Sequence, residues 1–209
     1  MTNLAQKYKE LWADKNYRQS SIFGIFFLLL SLLLYYFAAS YATTKQSSPS
    51  SDLILDNLPV VNVTIIFVWG ALILILFSVG LIFIEPKRIP FVTKSVAVFI
   101  LIRSFFFSLT HLGLHPDYLS SSKIMEEFSF GGDLFFSGHT GLPFLMALIY
   151  WENKKLRITF LISSVLLGAA VLLGHLHYSI DVFAAFFITY SIHEINKHLF
   201  VKDLTLLDK

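Results

Sequence analysis

Apolar residues fall into six runs along the chain: Ser21 to Tyr41, Val60 to Ile84, Ser95 to His111, His139 to Trp151, Leu156 to Gly174, and Ser179 to about Leu199. A helix rises about 1.5 Å per residue, so about 20 apolar residues cross the roughly 30 Å hydrocarbon core of a bilayer. The first, second and fifth runs meet that length and predict transmembrane helices. The third is interrupted by Arg103. The fourth has 13 residues and lengthens if Leu134-Phe135-Phe136 is added, while Gly138 and Pro143 predict irregular first turns. The sixth turns polar after Tyr190, so its end is expected to project from the membrane.

The charges between the runs predict the topology. Lys7, Lys9, Lys15 and Arg18 precede the first run, Lys87, Arg88 and Lys94 join the second to the third, Lys154, Lys155 and Arg157 join the fourth to the fifth, and Lys197, Lys202 and Lys209 close the chain. Basic residues favour cytoplasmic loops. Six crossings with both termini cytoplasmic gather all of these on one side, leaving Lys45 and Lys123 opposite and Arg103 within a run. The expected fold is all-α, a six-helix membrane bundle over residues 21–200. Residues 1–20 form a cytoplasmic segment, read either as a helix along the inner surface, because Leu4, Tyr8, Leu11 and Trp12 recur at helical spacing, or as a short cytosolic tail. Residues 201–209 form a cytoplasmic tail.

Composition narrows the function classes. The chain is 56% hydrophobic and 14% charged, with 22 Phe. Its net charge of +2 follows from the cytoplasmic skew and gives no reason to expect nucleic acid as a partner. Zero cysteines exclude disulfides, iron–sulfur ligation and thiol chemistry.

The topology puts two histidine-bearing segments on the same, exoplasmic face. In Ser137-Gly138-His139-Thr140, His139 stands at the start of the fourth helix, where free backbone amides suit a phosphate oxygen. The small Ser137 and Gly138 would let an anion approach. In His175-Leu176-His177-Tyr178-Ser179-Ile180-Asp181, His177 and Asp181 are four apart and share a face if the sixth helix starts near Tyr178. The carboxylate then orients one ring nitrogen and leaves the other as nucleophile or base. Arg103, deep in an apolar run, needs a compensating partner: a phosphate, or Asp133 or Asp181. His175 would either shape a phosphate pocket or hydrogen-bond within its loop. Asp133 would help select a cationic headgroup, while Glu126 and Glu127 read as solvated loop charges. His111 and His115 are also four apart, but Gly113 and Pro116 argue against a shared helix.

At these residues the chain resembles a family. Gly132 to Thr140 and His175 to Asp181 look like the paired motifs of sphingomyelin synthases, a branch of the type 2 phosphatidic acid phosphatase (PAP2) superfamily. Asp52 to Pro59 and Arg103 to Thr110 resemble its two earlier motifs. The resemblance implies a catalytic triad of His139, His177 and Asp181, in which the second histidine attacks phosphorus, the aspartate orients it and the first assists the leaving group. The wider phosphatases carry an arginine where this chain has Val171, and a Lys-rich motif that this chain lacks. Against the synthases, Leu176 stands where a carboxylate is common.

The expected activity is headgroup transfer from a membrane phospholipid through a phosphohistidine. Diacylglycerol leaves, and a lipid alcohol such as ceramide accepts. Arg103, Asp133, Ser137, Gly138 and His175 would hold the substrate, with no metal or other cofactor. Water as acceptor would instead give a phospholipase C-like hydrolase or a lipid phosphate phosphatase. Other classes are a non-catalytic lipid transporter or scaffold, and a haem or metal protein ligated by His111/His115 and His175/His177.

Overall fold

In the computed structural model, residues 4–118 and 131–206 are described, and their regular structure is helical, with a largely irregular connection over residues 45–64. The helices are α1 (Leu4–Ala13), α2 (Lys15–Thr44), α3 (Ala71–Ile84), α4 (Ile89–Thr110), α5 (Gly138–Ile149), α6 (Lys154–Leu173), α7 (Ser179–Leu199) and the short α8 (Val201–Leu204). Among the described residues, four helical stretches are long and apolar enough to cross a membrane: Lys15–Thr44, Ile65–Ile84, Pro86–Thr110 and Lys154–Leu173. α5 is apolar but has 12 residues. Glu126, Glu127 and Lys123 lie outside the described residues.

α2 shows why this protein is built for lipid. Its buried residues are Tyr17, Ser21, Gly24, Ser31, Ala39 and Ala42, nearly all small, whereas Phe26, Leu29 and Phe37 are more than half exposed. That inverts the usual soluble pattern, because lipid supplies no drive to bury large apolar groups and small residues let helices approach closely. α4 lies along this face. A β-carbon on Gly24 would stand 2.3 Å from Thr93 Oγ1, so only glycine permits the observed approach. Asp14 caps α2, its Oδ1 accepting from the Asn16 amide at 2.7 Å. The helix therefore begins six residues before the first apolar run, and the expected boundary at residue 20 falls inside it.

Two further differences have physical reasons. Lys94, expected in a loop, lies buried within α4, where its Nζ meets Asp203 Oδ2 at 2.6 Å and Ser20 Oγ at 2.5 Å. A buried ammonium needs such partners, and Asp203 supplies one by folding α8 back onto the bundle. Residues 201–204, within the expected tail, form a turn docked against α4 through Asp203. α5 is regular from Gly138 onward, because Ser137 Oγ caps it and Pro143 removes one amide without breaking it.

α5 packs against α6 and α7, and α4 joins this group to α2. Phe99, Phe136, Leu145, Met146, Phe160 and Ile192 anchor the shared core. This arrangement brings the start of α5 beside the start of α7, where the Ser137 amide donates to the Asp181 carbonyl at 3.0 Å.

Candidate active site

The turn between α6 and α7 sets the second histidine segment. The Leu176 amide returns to the Val171 carbonyl at 2.8 Å and the His175 amide to Leu172 at 3.0 Å, with His175 left-handed at φ 52°. This is a Schellman termination of α6, and Val171 and Leu176 complete it by packing in one apolar cluster. Tyr178 then caps α7, its amide donating to Asp181 Oδ2 at 3.0 Å. The same oxygen lies 3.4 Å from His177 Nδ1. Asp181 is fully buried, and its Oδ1 has no partner among the described residues. One carboxylate oxygen therefore serves both the helix start and the imidazole, as the four-residue spacing predicts.

His177 and His139 line one cavity of about 330 Å³ together with Tyr35, Arg103, Asp133 and Gly138, and its remaining wall is chiefly apolar. Phe67 stacks on the His139 ring, with centroids 4.2 Å apart and an interplanar angle of 26°. It projects from a π-helical turn, Ile65–Gly70, that leads into α3. Such wide turns change the direction of a helix face locally and recur at functional sites.

Arg103 is buried and heavily engaged. Its Nε donates to the Phe136 carbonyl at 2.7 Å, Nη1 to Asp133 Oδ2 at 3.0 Å and Nη2 to the Asp133 carbonyl. Tyr35 Oη donates to the same Asp133 oxygen at 2.6 Å. A β-carbon on Gly138 would stand 3.3 Å from Arg103 Nε, so this glycine makes room for the guanidinium. The loop that carries Asp133 is seated through Gly132, where a β-carbon would come within 2.3 Å of the Thr43 amide nitrogen. Of the two carboxylates open to Arg103 from sequence, tertiary packing uses Asp133.

Two other expected residues stand behind the cavity wall. Ser137 is fully buried, and its Oγ accepts from the Thr140 amide at 3.4 Å and from the Thr140 hydroxyl at 3.2 Å, so it serves the helix cap. His175 points away from the cavity and meets His115. Tyr35 and Phe67 were not legible as site residues, since an aromatic in an apolar run is ordinarily a lipid or core contact.

Asp52 anchors the start of α7 from the loop after α2. Its Oδ2 accepts from the Ser179 amide at 2.6 Å, and its Oδ1 from the amides of Ile54 at 2.9 Å and Leu55 at 3.2 Å. Burial works to raise its pKa, but the hydrogen bonds from Ser179, Leu55 and Ile54 outweigh it and hold the carboxyl below the ordinary value. With the folded pKa depressed, this stabilisation is present above the unfolded value, near 3.9, and is lost as pH falls through the folded one. Asp52→Asn turns a donor toward one of these amides. It is expected to cost about 1–3 kcal/mol, read by thermal unfolding in detergent at neutral pH, and the difference from wild type should shrink in acid.

The fold and site define an integral membrane protein whose regular secondary structure is helical among the described residues, with two histidines and an arginine–aspartate pair around one cavity. Residues 131–199, which carry both histidine segments, match the family model described as PAP2 superfamily C-terminal. The match spans about a third of the chain. No curated protein and no solved structure matches.

Proposed function

We propose that this protein transfers the phosphoryl headgroup of a membrane phospholipid through a phosphohistidine, in the manner of the sphingomyelin synthase branch of the PAP2 superfamily. The observation that carries the reading is the convergence of His139, His177 and Arg103 on one cavity, with Asp181 behind His177. Because Nδ1 of His177 faces the carboxylate, Nε2 holds the lone pair and attacks phosphorus. The P–O bond to glycerol breaks, His139 protonates the departing oxygen, and diacylglycerol leaves. Asp181 stabilises the imidazolium character of the attacking ring. A lipid hydroxyl then attacks phosphorus, His139 takes its proton, and the P–N bond to His177 breaks.

The amides at the start of α5 and the guanidinium N–H groups of Arg103 not used by Asp133 or Phe136 offer donors for phosphate oxygens. The remainder of Arg103 is tied to the protein, which presets its orientation before substrate arrives. Leu32 of α2 and Ile75 of α3 line the cavity and are also about half exposed to the lipid side, and α2 and α3 scarcely touch. The lipid therefore reaches the site between these two helices. Six crossings, with α5 and α7 added to the four long apolar stretches, keep both histidines on the exoplasmic side, consistent with the basic loops opposite.

The test is reconstitution into vesicles of mixed headgroup-labelled phospholipids, with and without ceramide or diacylglycerol. Labelled headgroup on the added lipid alcohol is the expected product. Release of water-soluble phosphoryl headgroup, with no acceptor lipid modified, would establish the phospholipase C-like reaction instead. Absence of either product across the headgroups tried would overturn catalysis and favour a transporter or scaffold.

A further inference from the structure

A second histidine group lies outside the cavity, between the chain that follows α4 and the turn that follows α6. His115 and His175 are both buried, and their Nδ1 atoms face each other at 3.2 Å with the rings at 89°. On its far side, His115 Nε2 meets Asp56 Oδ1 at 3.3 Å. Asp117 brings a carboxylate to the same place, and one ligand atom from each of His115, Asp117 and His175 lies within 4.8 Å of the others. The group joins segments sixty residues apart in sequence.

Two lone-pair nitrogens at this separation require something positive between them. A proton on one ring would serve, and so would a metal ion. Zinc binds imidazole nitrogen at about 2.0–2.1 Å, and a tetrahedral angle then separates two such nitrogens by roughly 3.3–3.4 Å. The observed 3.2 Å is close to that edge. Metal-bound histidines ordinarily give their other N–H to a carboxylate, which fixes tautomer and ring orientation. Asp56 stands where that partner belongs.

The backbone adds an independent observation. His175 occupies the left-handed position of the helix termination, where glycine is usual and an L-residue costs roughly 1 kcal/mol or more. Gly174 stands one residue earlier, so the histidine side chain rather than backbone ease accounts for this position. The ring lands on His115, and its Nε2 is buried with no partner among the described residues.

We propose that His115 Nδ1, His175 Nδ1 and the Asp117 carboxylate form a zinc site, with Asp56 as the outer partner of His115 and water completing the tetrahedron. Two imidazoles and a carboxylate suit zinc better than calcium or magnesium, which favour all-oxygen sets. Both rings bind neutral: His115 keeps its proton on Nε2 toward Asp56, and His175 carries its own on Nε2. The Asp117 amide, which donates to His115 Nδ1 at 3.2 Å, gives up that bond when the metal takes the lone pair. The ion clamps residues 115–117 to the turn two residues ahead of His177, bracing the α6–α7 corner from outside. It takes no part in the phosphoryl steps, and its presence does not depend on the lipid reaction.

Tag-free protein, stripped with a chelator in detergent, is titrated with zinc against a chromophoric competitor, and bound metal is counted by mass spectrometry after gel filtration. One zinc per chain is expected, lost in His115→Gln and in His175→Gln. Asp117→Asn, at an exposed residue that leaves packing intact, should weaken binding at least about tenfold, and Asp56→Asn by roughly 10–100-fold. Cobalt added to unmodified protein should give tetrahedral ligand-field bands that zinc abolishes, a readout needing no variant. Failure of wild type to retain stoichiometric zinc, or retention unchanged in Asp117→Asn and His175→Gln, would overturn the site and leave a hydrogen-bonded histidine pair.

Discussion

His177→Ala is expected to abolish headgroup release from reconstituted protein, by roughly three orders of magnitude or more, because the proposed mechanism forms its covalent intermediate on that ring. The fold should survive: the turn at His177 is held by backbone hydrogen bonds and by the Tyr178 amide on Asp181, and the ring adds only its 3.4 Å contact with that carboxylate. His139→Ala should fall less far, about 10²–10⁴-fold, the usual worth of a general acid. A leaving group that needs no proton, such as a nitrophenolate, should restore much of the His139→Ala rate and none of the His177→Ala rate. A denaturing quench at alkaline pH, where a phosphoramidate survives, should trap the phosphoryl headgroup on His177 in wild type. Full turnover by His177→Ala would sink the covalent mechanism.

The second large effect concerns stability. Arg103→Met leaves Asp133 charged beside the cavity with Tyr35 as its remaining hydrogen-bond partner, and Asp133→Asn leaves a buried guanidinium uncompensated. Breaking such a pair by removing one partner costs about 3–5 kcal/mol, whereas removing both charges together is often close to neutral. Each single variant should therefore unfold at markedly lower temperature, and Arg103→Met combined with Asp133→Asn should recover much of the loss. Single variants as stable as wild type would mean that the pair is not closed in the membrane. Arg103→Lys separates the two tasks of this residue: an ammonium keeps the charge but not the fork. Loss of activity in Arg103→Lys beyond its loss of stability would be the mark of phosphate contact.

How much of the site was legible follows from sequence distance. His177 and Asp181 could be paired because four residues make one helical turn, and the structure closes that pair through a helix cap. Arg103 could be recognised as needing a partner, since a charge in an apolar run demands one. Which partner depended on how α4 packs against a loop thirty residues away. Lys94 misled for a related reason: a lysine beside a loop reads as solvated, and only docking of α8 reveals it as a buried ion pair. His175 and His115 each had a nearer histidine in sequence. The helix termination at His175 turned its ring toward the chain after α4 instead.

By itself the sequence determined the apolar runs, the charge asymmetry between their ends and the two histidine segments at their margins. These are local or one-dimensional properties, set by hydrophobic length and helical period. The tertiary structure decided which groups share a cavity, that Ser137 and His175 stand behind its wall, and that Tyr35 and Phe67 help to form it. Those outcomes rest on helix approach distances governed by residues such as Gly24 and Gly132, where a single β-carbon would collide with the neighbouring helix. Packing of that kind depends on three-dimensional fit between distant segments, which periodicity and spacing do not encode.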